Sequence, residues 1–261
     1  MNRHLKTAVL LCAAAVAACG GDTTREITGP VPGAQIKFFN YGVGSPGVNF
    51  YAGAQKMTAI GSATGTESTL GTAYGAAAAG GLYTAVAPGQ YVLSGKIAAA
   101  TDKDLAISKL TATLENGKKY SFYQSGFYDA NAKSIDAFLI EDPLPAQVDF
   151  TVATVRFVNA ISNAAAMTLY AVDTTRTDAD KGVEKVIGGP VTYKSAGAFV
   201  TIPPGIYNLS TRFVGSSTNA IARGGIGLSA GTVYTITARG DITITSTTAA
   251  TRPQLESVIN R

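Results

Sequence analysis

Val86-Ala87-Pro88-Gly89-Gln90-Tyr91-Val92-Leu93-Ser94 and Ile202-Pro203-Pro204-Gly205-Ile206-Tyr207-Asn208-Leu209-Ser210 are two versions of one unit. Each places a Pro-Gly pair before a short run of alternating residues. Proline fixes φ for the first central position of a turn, and glycine accepts the positive φ of the second, so the pair predicts a type II turn. The alternation behind it predicts a β-strand. A strand unit that occurs twice predicts two similar β-domains in tandem.

Other segments repeat in the same order. Ala34-Gln35-Ile36-Lys37-Phe38-Phe39-Asn40 matches Ala153-Thr154-Val155-Arg156-Phe157-Val158-Asn159, and Val48-Asn49-Phe50-Tyr51 matches Met167-Thr168-Leu169-Tyr170. Thr72-Ala73-Tyr74 matches Val191-Thr192-Tyr193, and Asn116-Gly117-Lys118-Lys119-Tyr120 matches Ala230-Gly231-Thr232-Val233-Tyr234. Five anchors in one order indicate internal duplication. Within each repeat the period is two: Tyr234, Ile236 and Ala238 alternate with Thr235, Thr237 and Arg239. That pattern predicts sheets with one wet face. The fold class is all-β: two tandem immunoglobulin-like or prealbumin-like antiparallel β-sandwich domains, of seven or so strands each, after a cleaved signal peptide and flexible tether. The boundaries are a leader over 1–18, a tether over 19–33, and repeats over 34–146 and 147–261. Asp142-Pro143-Leu144-Pro145 marks the junction, because each proline removes a ladder donor.

Composition agrees. The 261 residues include 29 Gly, 12 Tyr, 10 Phe and no Trp, and 15% are charged. Short strands joined by glycine turns suit such a chain. The formal charge is +4, and Arg3 and Lys6 fall in the leader. No basic cluster interleaved with aromatics is present, so nucleic acid is not an expected partner.

The amino terminus reads as an export signal: Arg3 and Lys6, then an apolar run over Ala8–Val16 too short to span a bilayer. Val16-Ala17-Ala18-Cys19-Gly20 resembles a bacterial lipobox, which makes Cys19 the lipidated first residue of the mature chain. Three acyl chains, at about 0.8 kcal/mol per buried methylene, would hold the protein on a membrane. Gly20, where an inner-membrane retention signal has Asp, points to the outer membrane, on its periplasmic face or at the cell surface. Maturation also removes Cys12 and His4, the only histidine. No thiol or imidazole is then left for nucleophilic or metal chemistry.

Local motifs carry little chemistry. Gly227-Leu228-Ser229-Ala230-Gly231 has the letters of a nucleophile elbow, but a strand follows it and no histidine base remains, so a hairpin turn is expected. Gly42-Val43-Gly44-Ser45-Pro46-Gly47 has dinucleotide-loop spacing, but another strand follows where a helix is required. Asp173, Asp178 and Asp180 form an acidic loop that is a weak calcium candidate, lacking a bidentate Glu and interrupted by Arg176. Tyr120, Tyr123, Phe127 and Tyr128 could offer an aromatic binding platform, although alternation sends Tyr120 and Tyr123 to opposite faces. No catalytic residue and no cofactor are assigned.

The opening β-segment, the Pro-Gly-x-Tyr unit, and the later x-Gly-x-x-Tyr strand ending at Gly126 or Gly240 resemble the bacterial family called domain of unknown function 4397. The resemblance spans most of residues 34–260, twice over. It implies an exported or surface-anchored setting and carries no activity. Where the family often has a histidine early in the first strand-turn, Asn40 and Asn159 stand here. The expected function is a non-enzymatic envelope lipoprotein, attached to a membrane by its lipid and acting as a binding, adhesion or structural module toward an envelope protein or glycan. The alternative is a carboxylate-dependent hydrolase or carbohydrate-binding module acting on envelope polysaccharide.

Overall fold

The computed structural model describes residues 32–58, 70–177 and 182–261. The first repeat forms β1 (Ala34–Asn40), β2 (Val48–Ala52), β3 (Gln55–Lys56), β4 (Ala76–Ala77), β5 (Thr84–Val86), β6 (Gly89–Ile97), β7 (Ala106–Leu114), β8 (Lys119–Asp129) and β9 (Ser134–Glu141). The second forms β10 (Ala153–Asn159), β11 (Met167–Asp173), β12 (Glu184–Val191), β13 (Ser195–Ala196), β14 (Val200–Ile202), β15 (Gly205–Phe213), β16 (Ile221–Leu228), β17 (Val233–Arg239) and β18 (Gln254–Ile259). Strand order repeats throughout. One sheet of the first sandwich runs β4-β1-β8-β9 with β5 also on β1, and its facing sheet runs β3-β2-β6-β7. The second sandwich has β13-β10-β17-β18 with β14 on β10, facing β12-β11-β15-β16. Register repeats too: Ile36 lies opposite Tyr120, and Val155 opposite Tyr234.

Two expectations need refinement. The sheets are mixed, because β1 runs parallel to β8 and β10 parallel to β17. The first strand therefore sits beside the penultimate one, unlike the immunoglobulin constant order in which it neighbours the second. Nor does each sheet have a wet face. In β17 every residue is buried, including Thr235, Thr237 and Arg239, and β1, β8 and β10 are nearly as dry. Residues 33–261 form one compact unit, and within it the two inner sheets pack on each other. The result is four layers with three cores. One core lies inside each sandwich, around Phe38, Phe50 and Phe122 and around Phe157, Leu169 and Ile236. The third lies between the sandwiches, where Phe39, Tyr41, Tyr123 and Phe138 meet Val158 and Ala160.

The duplicated Pro-Gly-x-Tyr unit has a different mechanism from a type II turn. Gly205 has no positive φ, and at Gly89 φ is +153°, well away from the +80° of that turn. The tyrosine explains the motif. Tyr91 Oη donates to the Ala87 carbonyl at 2.9 Å, and Tyr207 Oη to the Pro203 carbonyl at 2.7 Å. Each hydroxyl ties the strand back to the chain that enters it, as a tyrosine corner does. Gly205 is required by space: a Cβ there would collide with the Asp173 carboxylate. Gly205→Val should therefore cost about 1–3 kcal/mol by overpacking. Urea denaturation measures it, and an Asp173→Ala background should recover much of the loss. Equal losses in both backgrounds would show that crowding is not the cause.

The second tyrosine motif closes a hairpin. Tyr120 Oη accepts the Glu115 N–H at 3.1 Å, and Tyr234 Oη accepts the Ser229 N–H at 2.9 Å. Gly117 and Gly231 take the left-handed conformation between them, at φ +76° and +69°. The Gly227–Gly231 letters are thus a hairpin turn. The Gly42–Gly47 loop leads into β2, and a Cβ on Gly42 or Gly47 would strike Ile135 or the Leu70 carbonyl.

Candidate functional site

The polar groups that the sequence places on a wet face are gathered at the seam between the inner sheets, and they follow the duplication. Lys37 on β1 and Arg156 on β10 are equivalent, each reaching across the seam to the end of the other repeat's last strand. Lys37 Nζ donates to the Ile259 carbonyl at 3.3 Å and to Asn260 Oδ1. Arg156 donates through Nη1 to the Glu141 carbonyl at 3.1 Å and through Nη2 to Asp142 Oδ1. Behind these lie Ser121, whose hydroxyl donates to Asp142 Oδ2 at 2.7 Å, and Thr235, whose Oγ1 accepts from Asn260 Nδ2 at 2.7 Å and Arg156 Nε at 3.0 Å. An aromatic ring covers each cation: Tyr83 lies 4.3 Å from Lys37 Nζ, and Phe199 lies 4.8 Å from the Arg156 guanidinium. The seam is thus self-complementary, like an interface between two copies related by a two-fold axis.

The symmetry is broken at one position. Asp142 stands where the other side has the neutral Asn260. Arg156 has a carboxylate; Lys37 has an amide. Burial pushes the Lys37 ammonium down from 10.5 to about 8, with attraction from Asp142 opposing and repulsion from Arg156 and Lys119 adding to the shift. Tyr83 Oη donates to Asp142 Oδ2 at 2.6 Å, and burial beside that carboxylate raises its pKa well above the ordinary value.

The four residues of the aromatic platform are dispersed. Tyr120 sits in the first sandwich core, and Tyr128 packs against that core. Tyr123 is fully buried in the seam, stacked on Phe39 at 4.6 Å and on Phe138 at 4.9 Å. Phe127 is 47% exposed, beyond the Gly126 irregularity in β8. They present no common surface. Asp173 is buried at the end of β11 and accepts the Thr175 N–H and hydroxyl through Oδ1, each at 2.7 Å. Asp178, Asp180 and Cys19 lie outside the described residues. Among the described residues no group of three or more His, Cys, Asp or Glu is placed to hold a metal ion.

Two surface concavities differ between the repeats. A polar cleft on the outer face of repeat two is lined by Glu184, Asn208, Arg212, Asn219 and Arg223, with a volume of about 450 Å³. Its charges are engaged with each other. Arg212 forks onto Glu184 at 2.7 and 2.5 Å while covering the Tyr170 ring, and Arg223 contacts Glu256 at 3.1 Å. A second groove, about 470 Å³, runs along the seam between Gly80–Tyr83 and Ser257–Arg261. Its walls are apolar: Leu82 is 71% exposed and Ile259 58%. Lys119 also faces Tyr83, at 4.7 Å from the ring.

A seam of this kind joins two sandwiches of one strand order into a single compact β-scaffold. The family model described as "Domain of unknown function (DUF4397)" matches residues 34–170, which span the first sandwich and the opening of the second. The chain belongs to that family. Among curated proteins no sequence matches significantly. Among solved structures, a leucine-rich repeat protein from Bacteroides thetaiotaomicron VPI-5482 is similar at 11% identity and a TM-score of 0.21, covering 82% of this chain and 26% of that one. The chain thus spans about a quarter of that structure.

Proposed function

We propose that this protein is a non-enzymatic envelope lipoprotein. Two copies of the family domain, fused face to face, serve as a structural or binding module at the outer membrane. The observation that carries this reading is the seam. Its buried charged groups, Lys37, Asp142 and Arg156, bridge one repeat to the other, so they serve to hold the scaffold rigid. The lipobox supplies the attachment: Val16-Ala17-Ala18-Cys19 behind a short apolar run. Cys19→Ser should move the protein from the membrane fraction to the soluble periplasmic fraction and abolish incorporation of labelled palmitate. Unchanged membrane attachment of that variant would overturn the reading.

A further inference from the structure

The duplication provides an internal control for every surface feature, since whatever the fold requires should stand on both repeats. The seam groove does not. Strand pairing makes Leu82 equivalent to Ala198 and Tyr83 to Phe199, because Thr84 and Val200 face Ile36 and Val155. It likewise makes Ile259 equivalent to Glu141, opposite Tyr234 and Tyr120. Four residues separate Ala77 from Leu82, whereas one separates Ala196 from Ala198. The longer connection is the turn Ala78–Gly81, and Gly80 and Gly81 form a wall of the groove. On the other side Glu141 is ion-paired with Lys118 at 3.1 Å, and a small alanine replaces the exposed leucine. The fold therefore does not require an exposed Leu82 and Ile259.

The groove lies at a particular end of the molecule. At this end β1 begins and β9 and β18 finish: Gly33 N–H bonds to Asn116 Oδ1, Gln35 N–H to the Lys118 carbonyl, and Arg261 Nη1 to the Pro145 carbonyl. The tether that leads from Cys19 joins here. Phe150, 80% exposed, sits at the same end against Gly231. Among the described residues neither Lys37 nor Lys119 has a carboxylate within ion-pair distance, although Asp142 attracts both from farther off. Lys119 Nζ donates to Gln35 Oε1, and burial followed by repulsion from Arg261 lowers its pKa against the attraction from Asp142.

We infer that this end is a lipid-docking face, on which Leu82 and Ile259 enter the surface of an anionic bilayer while Lys119 and Arg261 meet its headgroups. Apolar side chains rimmed by cations are the combination that holds a protein on such a surface. The inference rests on the membrane-anchored reading, and its test removes the anchor. The chain from Gly20 onward keeps the whole compact unit Gly33–Arg261 and lacks both Cys19 and the apolar run. Its binding is measured by co-sedimentation with vesicles of phosphatidylcholine alone and of phosphatidylcholine with phosphatidylglycerol.

Binding is expected on the phosphatidylglycerol vesicles and to weaken with added salt. Leu82→Asp combined with Ile259→Asp should reduce it by roughly tenfold or more, and Lys119→Gln by roughly fivefold. Ala198→Asp, at the equivalent place on the other repeat, should leave it unchanged. Both groove positions are exposed, and an unchanged thermal midpoint verifies folding. Three results would overturn the inference: no binding to anionic vesicles, equal binding to both vesicle types, or equal binding by the Leu82/Ile259 variant. A concentration-dependent dimer abolished by that variant would identify a second copy as the occupant and equally overturn it. Because this chain carries no acyl group, failure here leaves the palmitate experiment on Cys19 to decide the anchor separately.

Discussion

Asp142→Ala should destabilise the protein by about 3–5 kcal/mol, the range expected when one member of a buried ion pair is removed. The carboxylate is the common acceptor for three donors: Arg156 at Oδ1, and Ser121 and Tyr83 at Oδ2, at 2.7 and 2.6 Å. Arg156 is 1% exposed and Asp142 3%, so water replaces none of these bonds unless the seam opens. The equivalent substitution on the other side, Asn260→Ala, removes a neutral amide and should cost less, about 1–3 kcal/mol for the hydrogen-bonding groups left unpaired. Urea denaturation of both variants gives the comparison. An Asp142→Ala loss no larger than that of Asn260→Ala would show that the ion pair is not what distinguishes the two halves of the seam. A second transition appearing in Asp142→Ala alone would show the sandwiches separating before either unfolds.

Much of this architecture was legible in the sequence because duplication amplifies weak signals. Four of the five repeated anchors occupy equivalent strands and the turns that open them, and the fifth places Thr72 and Val191 opposite Val48 and Met167; β9 ends at Glu141, directly before Asp142–Pro145. The seam was not legible, for a physical reason. Alternation reports which residues share a face but not what covers it. Thr235, Thr237 and Arg239 have the letters of a solvated face, yet they are buried because another sheet lies over them. One signal was available. Lys37 and Arg156 are cations at the same position of two strands whose same-face neighbours are Phe39 and Val158. A conserved charge type beside apolar residues in both copies suggests a covered face more than a wet one. The groove was also beyond reach, since it depends on lining up Ala78–Gly81 against a shorter connection whose flanking sequence, Ala196-Gly197-Ala198, offers little to align.

Stability should rise as pH climbs above about 8 and peak between pH 9 and 10, and Lys37 is the source of the rise. Its folded pKa of about 8 lies below the ordinary value of 10.5 because burial disfavours the ammonium. Below pH 8 both folded and unfolded chains hold the proton, and the folded state bears the whole penalty of a buried charge. Between the two values the unfolded chain holds a proton that the folded chain has released, so stability rises with pH. Above 10.5 both are neutral and the penalty is gone. At 1.36 kcal/mol per pKa unit the full gain is about 3 kcal/mol. Tyr83, Tyr41 and Tyr123 act in the opposite sense, since their pKa values are raised by burial. They lose stability above pH 10, where unfolded tyrosines ionise, so the summed curve should peak between pH 9 and 10. Lys37→Met isolates the lysine. It leaves Asn260 Oδ1 and the Ile259 carbonyl without this donor, a pH-independent cost, but it removes the ammonium. The difference between wild-type and Lys37→Met stabilities, measured by urea denaturation at intervals from pH 7 to 10.5, should therefore climb by about 3 kcal/mol in favour of the wild type. A flat difference would mean that Lys37 is already neutral at pH 7, or that its ammonium is solvated where the seam meets the groove.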